Sequence, residues 1–131
     1  MIVVDTSVWI DYFNGLPTPQ AGLLDSLLGE RVLAVGDLIL AELLQGFATE
    51  RDAQRAMNLL EPLEFLEMAG RDIALQAAAN YRRLRHRGVI VRKTIDMLIG
   101  TCCLVHDHEL LHHDRDFDVL ARHLGLRVLR T

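Results

Sequence analysis

Asp5, Glu42, Asp96, Asp114 and Asp116 are the side chains whose types and surroundings point most directly to chemistry. Asp5 ends the apolar run Met1-Ile2-Val3-Val4 and is followed by Thr6-Ser7. A short β-branched run reads as a buried strand, and open α/β sheets bind ligands at strand exits. Glu42 lies in Leu38-Ile39-Leu40-Ala41-Glu42-Leu43-Leu44, apolar almost all round, where burying an unpaired carboxylate is costly. Asp96 follows Thr94-Ile95 at the start of another apolar helix. Asp114-Arg115-Asp116-Phe117 follows Glu109-Leu110-Leu111 and two histidines, so two carboxylates at a strand exit can aim at one cation. Each position also has an ordinary structural explanation. Asp5 and the Asp114–Asp118 stretch suit helix caps, Asp96 suits a helix dipole, and Glu42 suits a narrow polar stripe with Gln45.

Taken together, the five call for a reason to converge. Like charges in one pocket raise each other's pKa and destabilise it, and a bound Mg²⁺ or Mn²⁺ reverses that sign. Mg²⁺ prefers oxygen ligands and keeps several waters, so a few carboxylates suffice. Such an ion activates water and neutralises charge on a phosphodiester; two ions ~3.5–4 Å apart would stabilise both attacking and leaving oxygens. No serine–histidine or cysteine–histidine arrangement competes. Cys102-Cys103, His106, His108 and His112-His113 fit no structural-zinc spacing and read as core cysteines and surface histidines. A phosphatase built on Asp5 is a rival, but that chemistry wants a second Asp where this chain has Ser7. A non-catalytic module with an acidic edge is the other.

The elements that must position these residues alternate along the chain. Expected strands are Ile2–Val4, Val32–Val35, Leu63–Met68, Glu109–Leu111 and Arg127–Leu129. Helices are expected over Val8–Phe13, from Pro19 with Thr18 as cap, from Asp37 as cap to Phe47, and from Thr49 to about Leu60. Further helices are expected over Asp72–Arg87, Ile95–Val105 and Phe117–Leu124. The fold class is therefore α/β: a mostly parallel sheet of about five strands between helical layers, in one domain spanning 1–131. Trp9, Tyr12 and Phe13 suit packing rather than base stacking. Leu38, Ile39, Leu40, Leu43, Leu44 and Phe47 suit the core, with an exposed groove for a partner helix as the alternative.

Composition narrows the class. Half of the 131 residues are hydrophobic, which excludes a disordered chain. The longest apolar stretch, Met97–Val105, is far below the ~18 residues that span a bilayer. With no basic stretch ahead of the N-terminal apolar residues, a soluble cytoplasmic protein is expected. The net charge of −4 argues mildly against a dedicated nucleic-acid binder unless metals supply positive charge. Yet Arg82, Arg83, Arg85, Arg87, Arg92 and Lys93 place six of the fourteen basic side chains within twelve residues. That is either a solvated helix face or a phosphate-contacting ridge.

At these residues the chain resembles a known family. Val3-Val4-Asp5-Thr6-Ser7, Ala41-Glu42, Thr94-Ile95-Asp96-Met97-Leu98-Ile99 and Leu110-Leu111-His112-His113-Asp114-Arg115-Asp116-Phe117 look like the acidic motifs of PIN-domain ribonucleases. Its length is similar to that of the VapC toxins of bacterial toxin–antitoxin pairs. The resemblance covers nearly the whole chain; its motifs are short, but their order and spacing are specific in combination. It implies a PIN-like three-layer sandwich with Asp5, Glu42, Asp96 and Asp114 as a metal-binding quartet. Asp116 would be a fifth ligand or a supporting carboxylate, and Thr6 or Ser7 would orient a ligand or water near Asp5. The family's usual threonine before the last acidic motif is His112 here. The implied activity is a Mg²⁺- or Mn²⁺-dependent endoribonuclease that cuts tRNA or ribosomal RNA and inhibits translation. The implied assembly is a homodimer held inactive by a VapB-type antitoxin.

Overall fold

The computed structural model describes residues 1–131. In chain order the elements are β1 (Ile2–Val4), α1 (Thr6–Phe13), α2 (Pro19–Leu27), β2 (Leu33–Gly36), α3 (Asp37–Gln45) and α4 (Glu50–Leu60). They continue as β3 (Glu64–Leu66), α5 (Arg71–His86), α6 (Thr94–His106), β4 (Glu109–Leu111) and α7 (Arg115–Leu124). The four strands form one sheet in the order β3-β2-β1-β4, with every pairing parallel. All residues of β1 and β2 are buried, as required of parallel strands covered on both faces. Apolar side chains from the sheet and the helices pack into one cluster with Trp9 and Phe117 fully buried within it.

The sheet has four strands rather than about five. Arg127–Leu129 was expected to be a strand, but it makes only a single parallel bridge, Leu110 to Val128. Gly125 turns left-handed there (φ 78°) after α7, and Arg127 is drawn outward to the Asp107 carboxylate and carbonyl. Too few residues remain to extend the ladder. The third strand is likewise shorter than the expected Leu63–Met68, and Val32 lies outside β2 with 60% exposure.

Helix starts follow their caps. Thr18 Oγ1 accepts from Ala21 N–H and Thr49 Oγ1 from Asp52 N–H, as expected of cap residues. α1 begins at Thr6, two residues before the expected start, because Asp5 itself caps it. The expected cap of α3 is not Asp37 but Gly36. The Asp37 carboxylate instead accepts the N–H of Met68, at 2.7 Å, beyond the end of β3. Gly36 is needed there, since a Cβ would run into the buried Met68 side chain. No helix is long and apolar enough to cross a membrane.

Strand order places the site. The chain leaves β1 outward through β2 to β3, then returns to β4 on the other side of β1. The direction of winding therefore reverses between β1 and β4, and ligands bind outside the carboxyl ends of strands at such a switch point. Asp5 and Asp114 stand at those two ends.

Candidate metal centre

Asp5 is held where two adjacent turns meet. Its N–H donates to Leu111 O at 2.9 Å, so the exit of β1 lies alongside that of β4. Its Oδ2 accepts from Ser7 N–H at 3.0 Å and from Ser7 Oγ at 2.6 Å. The side chain is 4% exposed. Burial pushes its carboxyl above the ordinary range, against the Ser7 hydrogen bonds, and the charge of Asp114 adds to the rise.

Asp96 sits in the first turn of α6, also 4% exposed. Its Oδ2 is buried with no hydrogen-bond partner. Burial, then the negative charges of Asp5 and Asp114, raise its carboxyl from the ordinary 3.8 to about 7; Lys93 opposes the shift. Asp114 caps α7 by accepting from Asp116 N–H at 3.0 Å through Oδ1, and Asp116 follows in the first turn. Asp96, Asp114 and Asp116 each bring a carboxylate oxygen within 4.8 Å of the others. The capping role foreseen for the Asp-rich turn is therefore real and coexists with convergence.

Packing produces that convergence. Asp96 and Gly100 are one turn apart on α6, as Asp116 and Leu120 are on α7. A Cβ on Gly100 would run into the Leu120 side chain, so the absence of one lets the two helices approach closely. The pair Gly100/Leu120 thus sets the separation of Asp96 from Asp116.

Glu42 faces the same pocket from α3. Thr6 Oγ1 donates to its Oε1 at 2.9 Å. Burial raises its carboxyl, Thr6 opposes this, and the charges of Asp5 and Asp114 raise it further. Glu42 and Asp5 stand outside the close triplet yet are coupled to it through charge. Of the two expected orienting hydroxyls, Ser7 holds Asp5 and Thr6 holds Glu42.

Asp11 and His113 join the site without having been singled out as site residues in the sequence, together with His112 and Asp118. The Ser7 hydroxyl accepts His113 N–H at 3.0 Å, and Asp11 Oδ2 lies 2.9 Å from His113 Nδ1. Ser7 and Asp11 are four apart on α1, a spacing that could have revealed a shared face. His112 Nδ1 accepts Asp114 N–H at 3.1 Å, while Nε2 lies 3.4 Å from the Asp118 carboxylate. Burial lowers the His112 pKa, so the ring is neutral, with its proton on the Nε2 side.

The donor set suits a hard divalent cation. It consists of carboxylate oxygens, one of them buried and otherwise unsatisfied, and Mg²⁺ or Mn²⁺ takes oxygen ligands of this kind. Cys102 and Cys103 are buried in the core on α6. The side chains of Ile39 and Leu43 are also core, and Leu38, Leu40 and Phe47 pack against it. Trp9 is fully buried and stacked on Phe13.

The basic stretch lies on α5 and the link to α6. Arg82, Arg83, Arg85, Arg87, Arg92 and Lys93 are all exposed, and none forms an ion pair; the chain's one arginine–carboxylate pair joins Arg127 to Asp107. Arg87 donates to His123 O at 2.9 Å. Lys93 is the residue before α6 and lowers the carboxyl pKa of both Glu42 and Asp96, which places its charge beside the centre.

Known proteins are similar to this chain in sequence and in fold. The PIN domain family profile matches residues 2–123. Ribonuclease VapC11 of Mycobacterium tuberculosis is 32% identical over 130 residues, covering 98% of this chain and 97% of that protein. The crystal structure of VapBC2 from Rickettsia felis bound to a promoter DNA fragment aligns with a TM-score of 0.75 at 21% identity, covering 98% of each chain. That of Mycobacterium tuberculosis VapC20, a Sarcin-Ricin loop cleaving toxin, aligns with a TM-score of 0.73 at 19% identity over 100% of both chains. The structural matches share the fold, and the sequence matches go further: this chain belongs to the PIN-domain family and, within it, to the VapC ribonucleases.

Proposed function

We propose that residues 1–131 form one PIN-like domain acting as a divalent-metal-dependent endoribonuclease. The observation that carries this reading is the triplet Asp96, Asp114 and Asp116, with the buried Asp96 Oδ2 lacking any partner within the chain. Asp96, Asp114 and Asp116 would hold Mg²⁺ or Mn²⁺, with Asp5 and Glu42 completing the negative pocket. The ion supplies a lowered pKa for attacking water and neutralises charge on the phosphodiester. Ser7 fixes the Asp5 carboxylate, Thr6 fixes Glu42, and His112 fixes the turn that presents Asp114. Arg82, Arg83, Arg85, Arg87, Arg92 and Lys93 would contact RNA phosphates, offsetting the chain's net charge of −4.

The biological setting follows from the relatives. VapBC-5 of Mycobacterium tuberculosis is a member of the VapBC family of toxin-antitoxin systems, and VapC20 is a toxin that cleaves the Sarcin-Ricin loop. By likeness, this chain would be a cytoplasmic homodimeric toxin that cuts tRNA or ribosomal RNA and is neutralised by a VapB-type antitoxin. The phosphatase reading loses ground because Ser7 occupies the required second Asp position, with its hydroxyl bonded to Asp5 and to His113 N–H.

The test is cleavage of total RNA by antitoxin-free protein with Mg²⁺, Mn²⁺ or EDTA, beside Asp96→Asn. Cleavage that needs metal and is lost in the folded variant supports the reading. Equal turnover by the variant overturns the assignment of the site to Asp96, and metal binding with no cleavage of any RNA leaves only a non-catalytic module.

A further inference from the structure

β3 is the open edge of the sheet. In the order β3-β2-β1-β4 it has a neighbour on one side only, and no N–H or C=O of Glu64–Leu66 bonds outside that ladder. The opposite edge is covered by the chain itself. There Leu110 N–H donates to Arg127 O at 2.9 Å, and Leu129 N–H donates to Leu110 O at 3.0 Å. Phe65 stands on the open edge beside the buried Val35 and is itself 55% exposed. Glu61, Glu64 and Glu67 flank it, all exposed and none in an ion pair. We propose that this edge docks an extended, lysine- or arginine-bearing segment of another protein. The segment adds to the sheet as a strand and lays an apolar side chain against Phe65.

Backbone, apolar surface and charge each specify part of that partner. Unpaired amides and carbonyls on a strand edge are a template for another strand, and alternate side chains then select its sequence. Directly opposite residues share a face, so a docked residue facing Phe65 packs on its ring. Three glutamates between positions 61 and 67 favour cations across from them. They also exclude a second copy of this edge, which would set its own glutamates along the same short ribbon. Charge on an edge strand often serves only to keep edges apart. That defence has no use for a large aromatic side chain in solvent. Phe65 among glutamates instead discriminates, offering apolar surface to a strand of opposite charge and repelling the rest. The surface is also separate from the carboxylates of the metal centre. β3 lies two strands from β1, about 10 Å away at the usual strand spacing, so a docked segment leaves the centre open.

The probe is a fluorescein-labelled hexapeptide of alternating lysine and valine, which can set valines on the Phe65 face and lysines on the Glu64 face. Binding is read by anisotropy with and without saturating Mn²⁺, and amide exchange of Glu64–Leu66 is followed by NMR. An outward amide of β3 should exchange more slowly when the peptide is bound. Replacing lysine by glutamate, or N-methylating the amides along one peptide edge, should each weaken binding about tenfold. That is the scale of a few lost cross-strand ion pairs or hydrogen bonds. Phe65→Thr keeps a strand former and should weaken binding severalfold. Glu64→Lys with Glu67→Lys should turn the preference to the glutamate peptide. Mn²⁺ affinity should be the same in all these variants. Equal binding by the N-methylated peptide means attraction by charge alone and overturns strand addition. Binding that Mn²⁺ displaces puts the peptide on the carboxylates and overturns the β3 site. A dimer in sedimentation that Phe65→Thr dissociates gives the edge to a second copy, and absent binding by the lysine peptide overturns docking outright.

Discussion

The Ser7 hydroxyl accepts the backbone N–H of His113 at 3.0 Å across 106 residues of chain, while donating to Asp5 at 2.6 Å. One oxygen atom therefore ties the turn after β1 to the turn after β4, the two strand exits that flank the switch point. Ser7→Ala removes both bonds and leaves Asp5 with a single donor from Ser7, its backbone N–H. A loss of about 1.5–3 kcal/mol in urea unfolding is expected, the range for a hydrogen bond to a charged group. Mn²⁺ affinity should fall about tenfold, the lower end for outer supports of a metal site, and Ser7→Thr should recover much of it. Unchanged affinity in Ser7→Ala would remove the hydroxyl from the site's support.

His112 plays the corresponding part for Asp114. Its ring is neutral, its Nδ1 accepts Asp114 N–H, and its face tilts against Phe117 at 5.3 Å between centroids. His112→Leu keeps the packing and orphans the N–H. Metal affinity is expected to fall about 10–100-fold, with the change in kcat exceeding that in KM. His112→Thr offers an acceptor oxygen near the same place and should restore part of the loss. Leu and Thr variants that bind metal equally would reduce His112 to packing.

The pH dependence follows from Asp96. Its carboxyl titrates at about 7 in the folded chain against an ordinary 3.8, so the folded state binds the proton more tightly. The stabilising contribution is fully present below 3.8 and is lost as pH rises through about 7. Asp5 and Glu42 shift in the same direction. Metal-free Asp96→Asn should therefore melt higher than metal-free wild type at pH 8, by about 5 °C, and the two should converge near pH 4. Metal binding below pH 7 displaces a proton, so apparent affinity should climb with pH and flatten above 7. Calorimetry in two buffers of different ionisation enthalpy reads that proton directly. A pH-independent affinity between 5 and 8 would contradict the coupling.

Much of this was legible in the residues. The β-branched run before Asp5, the alternation of strands and helices, and the caps Thr18 and Thr49 all stood as expected. The cap at Asp37 did not, because local cap preference says nothing of a distant N–H that competes for the carboxylate. Met68, thirty-one residues away, supplies that N–H. The last strand was misjudged for a related reason: Val128 has strand character, but whether it pairs depends on Arg127 reaching Asp107. The acidic positions could be ranked from sequence, yet not their distances. Asp116 proved to lie within 4.8 Å of Asp96, as Asp114 does, beside the Gly100–Leu120 contact, and a glycine in a helix does not announce which neighbour needs the room. Ser7 and Asp11 carried a visible four-residue spacing, but their common partner His113 lies at the other end of the chain.

The most direct test joins metal to chemistry in one sample. Mn²⁺ is titrated into metal-free, antitoxin-free protein while binding and cleavage of a single-stranded RNA are recorded together, for wild type and for Asp96→Asn. In wild type the two curves should rise together, and in the folded variant cleavage should fall by at least about a hundredfold as the binding curve shifts beyond the range. Cleavage that persists in EDTA, or a variant that cleaves like wild type, would contradict a metal-dependent site built on Asp96, Asp114 and Asp116.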